Sequence, residues 1–320
     1  MTIKTTMSNS YFKLIRSGIN TTYQDKGREN VYHIGMPYSG AMDNRNFLLA
    51  NKLVNNNLNS PVVEFAYQGP HLKYKGDKIS IAITGDVIFK IIKNGVENIG
   101  DCYQSYQIES GDEIDIISTN KTIYGYLAIG GEIDVKFQWE SCSINTKSKI
   151  GSNDGKKLEN NQTIKLLKLN SNKDKKKLNY INSKVENIRV IKGTNFNYFS
   201  EEGKQNFFEK KFIVSKLSDR MGMRLQGNKI DNIVNTNIKS EGLIRGVIQV
   251  PPDGNPIIML SDHGTIGGYP KIGVVASVDY DRLVQISPGS KIKFTEIQLT
   301  DAETLFKLYE MDTDNLLSQI

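Results

Sequence analysis

Residues 249–273 read Gln249-Val-Pro-Pro-Asp-Gly-Asn-Pro-Ile-Ile-Met-Leu-Ser-Asp-His-Gly-Thr-Ile-Gly-Gly-Tyr-Pro-Lys-Ile-Gly273. Pro251-Pro252-Asp253-Gly254 is a strong turn signal, because proline presets φ and Asp-Gly tolerates the tight reversal. Ile257 to Leu260 is a short apolar run of strand length. From Ser261 to Lys271, eleven residues hold an acid, a histidine, hydroxyls, three glycines, a tyrosine and a lysine. A loop that only reverses the chain needs the glycines but not that concentration of functional groups. The glycines let backbone approach a ligand closely. Asp253 and Asp262 are candidates to orient a histidine or to hold a metal-bound nucleotide. Asp262 and His263 are adjacent, so in an extended segment they face opposite ways and do not form a dyad.

Outward from this stretch, the pattern is mostly β. Ile79-Ser80-Ile81-Ala82-Ile83-Thr84, Ile114-Asp115-Ile116 and Lys291-Ile292-Lys293-Phe294 alternate in character between turn residues. Such short, evenly spaced strands suit barrels or sandwiches. A few short helices interrupt them. Asp43 is a candidate N-cap for Asn44–Asn55, and Asp301 a candidate start for a C-terminal helix carrying Leu305, Leu308 and Tyr309. Glu109–Ile116 echoes Ser287–Phe294, with a glycine at a turn and then an alternating strand. Two domains are expected, residues 1–170 and 188–320, joined by a polar linker at 171–187 that contains Lys173-Asp174-Lys175-Lys176-Lys177.

Composition narrows the partners. The 320 residues are 38% hydrophobic and 24% charged, which suits globular domains with real cores. The net charge is +6, yet no basic stripe interleaved with aromatics accompanies it, so no nucleic-acid partner is expected. The lysine run reads as a solvated face. Cys102 and Cys142 are far apart and form no metal or disulfide pattern, so two reduced thiols of a cytoplasmic protein are expected. Met1–Leu14 carries no apolar signal region and no run of about 18 apolar residues occurs, so no membrane association is expected. P-loop, dinucleotide-binding and HExxH motifs are absent, and no metal-ligating set is read in the chain. His71 stands alone and reads as structural.

Two other segments carry chemistry. Thr22–Arg28 precedes His33-Ile-Gly35-Met-Pro37-Tyr-Ser39-Gly40-Ala-Met-Asp43, a shaped loop leading into a helix. Its backbone N–H groups, with Ser39 nearby, suit an anionic group unless Asp43 takes those donors as a cap. Arg28, His33 and Arg45 cluster in sequence around it, and arginine pairs bidentately with carboxylate or phosphate. Ser218–Gly227 places Arg220 and Arg224 four apart, on one face in either a helix or a strand. That fits an anion site or an exposed charged edge.

Together these blocks resemble the family described as the 5-oxoprolinase C subunit, KipA, allophanate hydrolase subunit 2 or biotin-dependent carboxyltransferase. The family pattern TxQDxGR is similar to Thr22–Arg28, and GxPxSGAMD with a following AN is similar to Gly35–Asp43 and Ala50-Asn51. LExxxxGPxL is matched by Val63-Glu64 through Leu72, with Val63 in place of the leucine. SNRMGxRL is matched by Ser218–Leu225 with Asp219 for Asn, and the long block by Gln249–Ile272. The resemblance runs over about residues 14–297. It implies two tandem cyclophilin-like β-barrel domains with a few short helices. It also implies a complex that spends ATP with Mg2+ to open the lactam of 5-oxo-L-proline. The implied partners are a KipI-like B subunit and a LamB/YcsF-like A subunit, and a lone chain would be inactive. Arg28, Arg45, Arg220 and Lys271 are the expected cations of such a site. Asp253 and Asp262 are its expected acids, with His33, Ser39, Gly40, Asp43, Gly267, Gly268 and Tyr269 as small-molecule contacts. No Met-Lys-Met sequence is present, so any biotin is expected on another polypeptide. Two other readings fit the same blocks: a KipA-type regulator that binds a KipI-like kinase inhibitor, and a carboxyltransferase half acting on urea or a related acceptor. A stand-alone prolyl isomerase fits them poorly.

Overall fold

A computed structural model describes residues 9–180, 185–234 and 237–320. Residues 1–8, at the expected leaderless N-terminus, and 181–184, within the expected linker, lie outside the described residues. The architecture is mainly β, with four α-helices among the described residues. The chain clusters into two compact units. One takes the residues up to Gly27, Asn44–Asn182 and Asn315–Ile320; the other takes Arg28–Asp43 and Ser183–Asp314. No helix among the described residues is long and apolar enough to cross a membrane.

In the first unit a seven-stranded and a five-stranded sheet form. Their core holds Phe12, Leu14, Phe65, Phe89, Ile114 and Leu127, all fully buried. The strand Ile79–Thr84 is buried along its whole length rather than alternating in exposure. The reason is the helix Asn44–Leu53, which packs on this strand. Ser80, Ala82 and Thr84 are small where the sheet must admit a helix, and Thr84 Oγ1 donates to the Asn46 carbonyl at 2.8 Å. Residues beyond Leu169 are pinned here too. Asn172 Nδ2 donates to the Leu53 carbonyl at 2.7 Å, and Ser105 N donates to the Lys176 carbonyl at 2.8 Å. Among the described residues neither Cys102 nor Cys142 forms a disulfide.

The second unit contains a closed barrel of seven strands. In order around it run Asn187–Lys192, Lys271–Val275, Val247–Gln249, Ile257–Met259, Gly222–Gln226, Phe212–Val214 and Lys291–Glu296. Closure is made by Asn187–Lys192 pairing parallel to Lys291–Glu296, with Ile188 opposite Phe294. Closing the sheet removes the exposed edges that an open sheet presents. The helix Glu201–Glu209 starts at Ser200, whose Oγ accepts from Gly203 N at 2.9 Å, and Glu201 and Glu202 lie in its first turn. It delivers Phe207 to stack on Phe294 with ring centroids 4.5 Å apart. The C-terminal helix runs Leu299–Ser318, so Asp301 sits in its first turn rather than before it.

The echo between Glu109–Ile116 and Ser287–Phe294 is structural. Gly111 and Gly289 have φ of +99° and +87°. Gly111 N donates to the Tyr74 carbonyl at 2.9 Å, and Gly289 N to the Val214 carbonyl at 2.8 Å. In return Tyr74 N donates to the Asp112 carbonyl and Val214 N to the Ser290 carbonyl, each at 2.9 Å. The same glycine turn, with the same reciprocal bonds to a neighbouring antiparallel strand, therefore occurs in each unit.

Candidate functional site

The site is built in the second unit around the loop at residues 28–43. Arg28 N donates to the Tyr38 carbonyl at 2.8 Å and closes the loop on itself. Ser39 and Gly40 both lie in the left-handed region, with φ of +59° and +83°. Glycine adopts this freely, whereas for a serine it costs on the order of 1 kcal/mol. That cost is offset because the kink turns two consecutive carbonyls toward two arginines. Arg245 Nη2 donates to the Ser39 carbonyl at 3.1 Å, and Arg220 Nη2 to the Gly40 carbonyl at 2.7 Å. Ser39 N in turn donates to the Ser261 carbonyl at 2.9 Å, so the loop is held on the Gln249–Gly273 stretch.

Arg220 is anchored at its other edge. Its Nε and Nη2 donate to the two carboxylate oxygens of Asp262 at 2.9 and 3.0 Å. The Asp262 side chain is 3% exposed, so this is a desolvated, bidentate pair. Arg224 is exposed in the strand Gly222–Gln226, which begins after Arg220, so the two arginines do not act as one face. Asp219 Oδ1 accepts from Met221 N at 2.8 Å and Gly222 N at 3.3 Å, a turn contact that the oxygen of an asparagine would make equally well.

Asp262 and His263 lie in a turn rather than a strand, and they have separate partners. His263 Nδ1 lies 2.6 Å from the Gly264 carbonyl, which places the ring proton on Nδ1 and leaves Nε2 as an acceptor. Burial holds its pKa below the ordinary imidazole value, and the nearby Arg245 charge lowers it further. Its ring meets Tyr32 edge-on, with centroids 6.1 Å apart. Tyr32 donates its hydroxyl to the Leu243 carbonyl. Leu243 follows Glu241–Gly242, which pairs with Ile266–Gly267.

That small ribbon brings in Lys271, whose ammonium pairs with Glu241 and lies 3.5 Å from the Gly242 carbonyl. The hydrogen bond from Lys271 holds the Glu241 carboxyl below its usual range. Gly267 is closely packed: a Cβ there would stand 2.7 Å from Gln249 Nε2, so that side chain would have to move. Gln249 Nε2 also donates to the Tyr269 carbonyl at 3.0 Å. Gly268 is close to the Ile238 carbonyl. Asp43 accepts from Gln285 Nε2 at 2.8 Å.

The geometry thus joins Ser39, Gly40, Arg220 and Asp262 directly, and sets Asp43, Lys271, Gly267 and Gly268 in the same unit. Other expected residues fall elsewhere. The Asp253 carboxylate contacts only Asn255 among the described residues, at 3.2 and 3.1 Å, and serves its own turn. His33 is exposed on a single helical turn, and the Tyr269 side chain is partly exposed. Arg45 is buried on the helix Asn44–Leu53 of the first unit. Tyr32, Tyr38, Glu241, Arg245, Tyr280 and Gln285 are participants that sequence reading missed. Tyr38 lies inside the Gly35–Asp43 block but was not singled out there, and the others lie in segments that none of the recognised blocks covers.

Residues 34–296 match the family model of the carboxyltransferase domain, subdomain A and B, and the chain belongs to that family. It is 30% identical over 292 residues to the 5-oxoprolinase C subunit of Escherichia coli, covering 91% of this chain and 92% of that protein. It is 26% identical to urea amidolyase of Saccharomyces cerevisiae, over 95% of this chain but 18% of that enzyme. The crystal structure of the K. lactis urea amidolyase superposes with a TM-score of 0.86 at 27% identity, over 96% of this chain and 20% of the larger one.

Proposed function

We propose that this chain is the C subunit of an ATP-dependent 5-oxoprolinase, opening the lactam of 5-oxo-L-proline to L-glutamate. It would act with a KipI-like B subunit and a LamB/YcsF-like A subunit. The observation that carries this reading is the likeness to the Escherichia coli protein, which extends over 92% of its length. A lactam carbonyl is a poor electrophile. Transfer of the γ-phosphoryl group from ATP to its oxygen, with ADP leaving, makes the ring carbon electrophilic; water adds to that carbon, the C–N bond breaks as the nitrogen takes a proton, and hydrolysis of the resulting acyl phosphate releases L-glutamate and phosphate. Within this chain, Arg220, anchored by Asp262, donates to the Gly40 carbonyl and fixes the loop, while His263 Nε2 is a neutral acceptor suited to move a proton. Arg220 and Lys271 are each already matched by a carboxylate, so they position the loop and the ribbon rather than cradle a triphosphate. ATP and Mg2+ therefore belong to the assembled complex in this reading, and biotin does not belong to this chain.

The superposition on urea amidolyase favours a second reading, carboxyl transfer from carboxybiotin on another polypeptide to urea or a related acceptor. Reconstitution separates the two. The three-protein mixture should release glutamate from 5-oxoproline only with ATP, and should leave urea untouched. A mixture of the B and A subunits that is fully active without this chain rules out the catalytic role and favours the regulator.

A further inference from the structure

Among the described residues of the second unit, several arginines meet an acid. Arg220 pairs with Asp262, and Arg189 and Arg282 share Asp279. Arg245 does not. Among the described residues its one hydrogen bond runs from Nη2 to the Ser39 carbonyl at 3.1 Å. Its Cζ lies over two aromatic rings, 5.0 Å from the Tyr38 centroid and 5.1 Å from the Tyr280 centroid. Tyr280 is 6% exposed and Arg245 is half-buried. A guanidinium has five N–H donors, and among the described residues one of them is used.

Among the described residues no carboxylate pairs with Arg245. Both Asp262 oxygens are engaged by Arg220. His263 is neutral near pH 7. The cluster of Arg220, Asp262, Arg245 and His263 therefore carries one net positive charge. Withdrawing a cation from water without a partner is costly, and two ring faces recover only part of that cost. The rings hold the guanidinium in place, and its unused N–H donors suit a planar, bidentate acceptor.

We infer that Arg245, steadied by Tyr38 and Tyr280, binds the carboxylate of a small organic acid and so sets this site's preference for acids over neutral amides. The identity of that acid as 5-oxoproline rests on the function proposed above; the preference for a carboxylate does not. 5-Oxoproline carries a carboxylate beside its lactam, whereas 2-pyrrolidone is the same lactam without it, and urea has none.

The test uses the full 15N-labelled chain, alone and co-purified with its B and A subunits. The Arg245 Nε–H resonance is assigned by its loss in Arg245→Lys. 5-Oxo-L-proline should shift it, and 2-pyrrolidone and urea should not. Arg245→Gln should weaken the acid's binding by about 10- to 100-fold, as expected for a lost charge-assisted pair. Arg245→Lys, which keeps the charge and guards against a folding artefact, should weaken it less. In the reconstituted complex Arg245→Gln should raise KM by a similar factor with little change in kcat. Equal binding of acid and lactam, or an unaltered KM in Arg245→Gln, overturns the inference and leaves the 5-oxoprolinase reading intact. If the complex makes no glutamate, that reading fails, and acetate and succinate serve as carboxylate probes. No shift from any carboxylate, in chain or complex, overturns the inference as well.

Discussion

Arg220 and Asp262 are tied twice: the guanidinium donates to both carboxylate oxygens at 2.9 and 3.0 Å, and the Asp262 amide donates back to the Arg220 carbonyl at 2.9 Å. Two loops distant in sequence are thereby locked in register. Arg220→Ala strands a buried carboxylate and should cost about 3–5 kcal/mol. Replacing both partners with a matched apolar pair should cost less, because no charge is then left buried. Urea melts of the two variants decide it, and equal destabilisation would argue against this account. Turnover by a reconstituted complex carrying Arg220→Ala should fall with the loop it releases.

Lys271 governs Glu241. In Lys271→Met the Glu241 carboxyl should return upward toward its ordinary range, because the bond that depresses it is gone. Carbon-13 detection of that carboxyl across an acid titration measures it. Glu241 is partly exposed, so Glu241→Gln should change stability by less than about 1 kcal/mol. A larger loss would mean that the pair supports more than the ribbon.

His263 should make stability pH-dependent in one direction. Its folded pKa lies below the unfolded value of about 6.5, so the unfolded chain binds the extra proton. Stability is therefore full above that value and declines as pH falls from about 6.5 toward the folded pKa. His263→Gln should flatten this slope, read as denaturation midpoints on either side of the unfolded value. An unchanged slope would assign it to other groups.

Asp25 belongs to the first recognisable block of the sequence, yet its work is structural. Its carboxylate accepts from Gly27 N at 2.9 Å, Ser141 Oγ at 2.6 Å, Cys142 N at 2.7 Å and Ser143 Oγ at 2.6 Å. Asp25→Ala leaves several of these donors unsatisfied and should cost at least about 3 kcal/mol. A calorimetric trace with an unshifted first transition would contradict this.

Much of the fold was legible because strands and turns are local. Alternating runs bounded by glycine marked the strands at Ile79–Thr84 and Lys291–Glu296, and Gly111 and Gly289 marked equivalent turns. The site was legible only in part. Ser39, Gly40, Arg220 and Asp262 stand in dense, unusual segments, and the fold brings them into contact. Arg245 and Tyr280 stand outside the recognised blocks, and only the tertiary fold sets Arg245 against Tyr38 and Tyr280. Asp253 shows why a turn is hard to read: an Asp before Gly serves its own backbone as readily as a ligand. Asn51 is similar, since its amide donates to the Ser60 carbonyl at 2.9 Å.

The loop at residues 28–43 has a temporal consequence. The Gly40 carbonyl and the Arg220 guanidinium that holds it are separated by 180 residues. At about 5–20 residues per second, the ribosome delivers the loop roughly 10–40 s before this anchor. The nascent chain must keep that segment unclaimed throughout this interval. A fragment that begins at residue 185 would emerge without it, and adding the loop as a separate peptide should restore what the missing segment supplied.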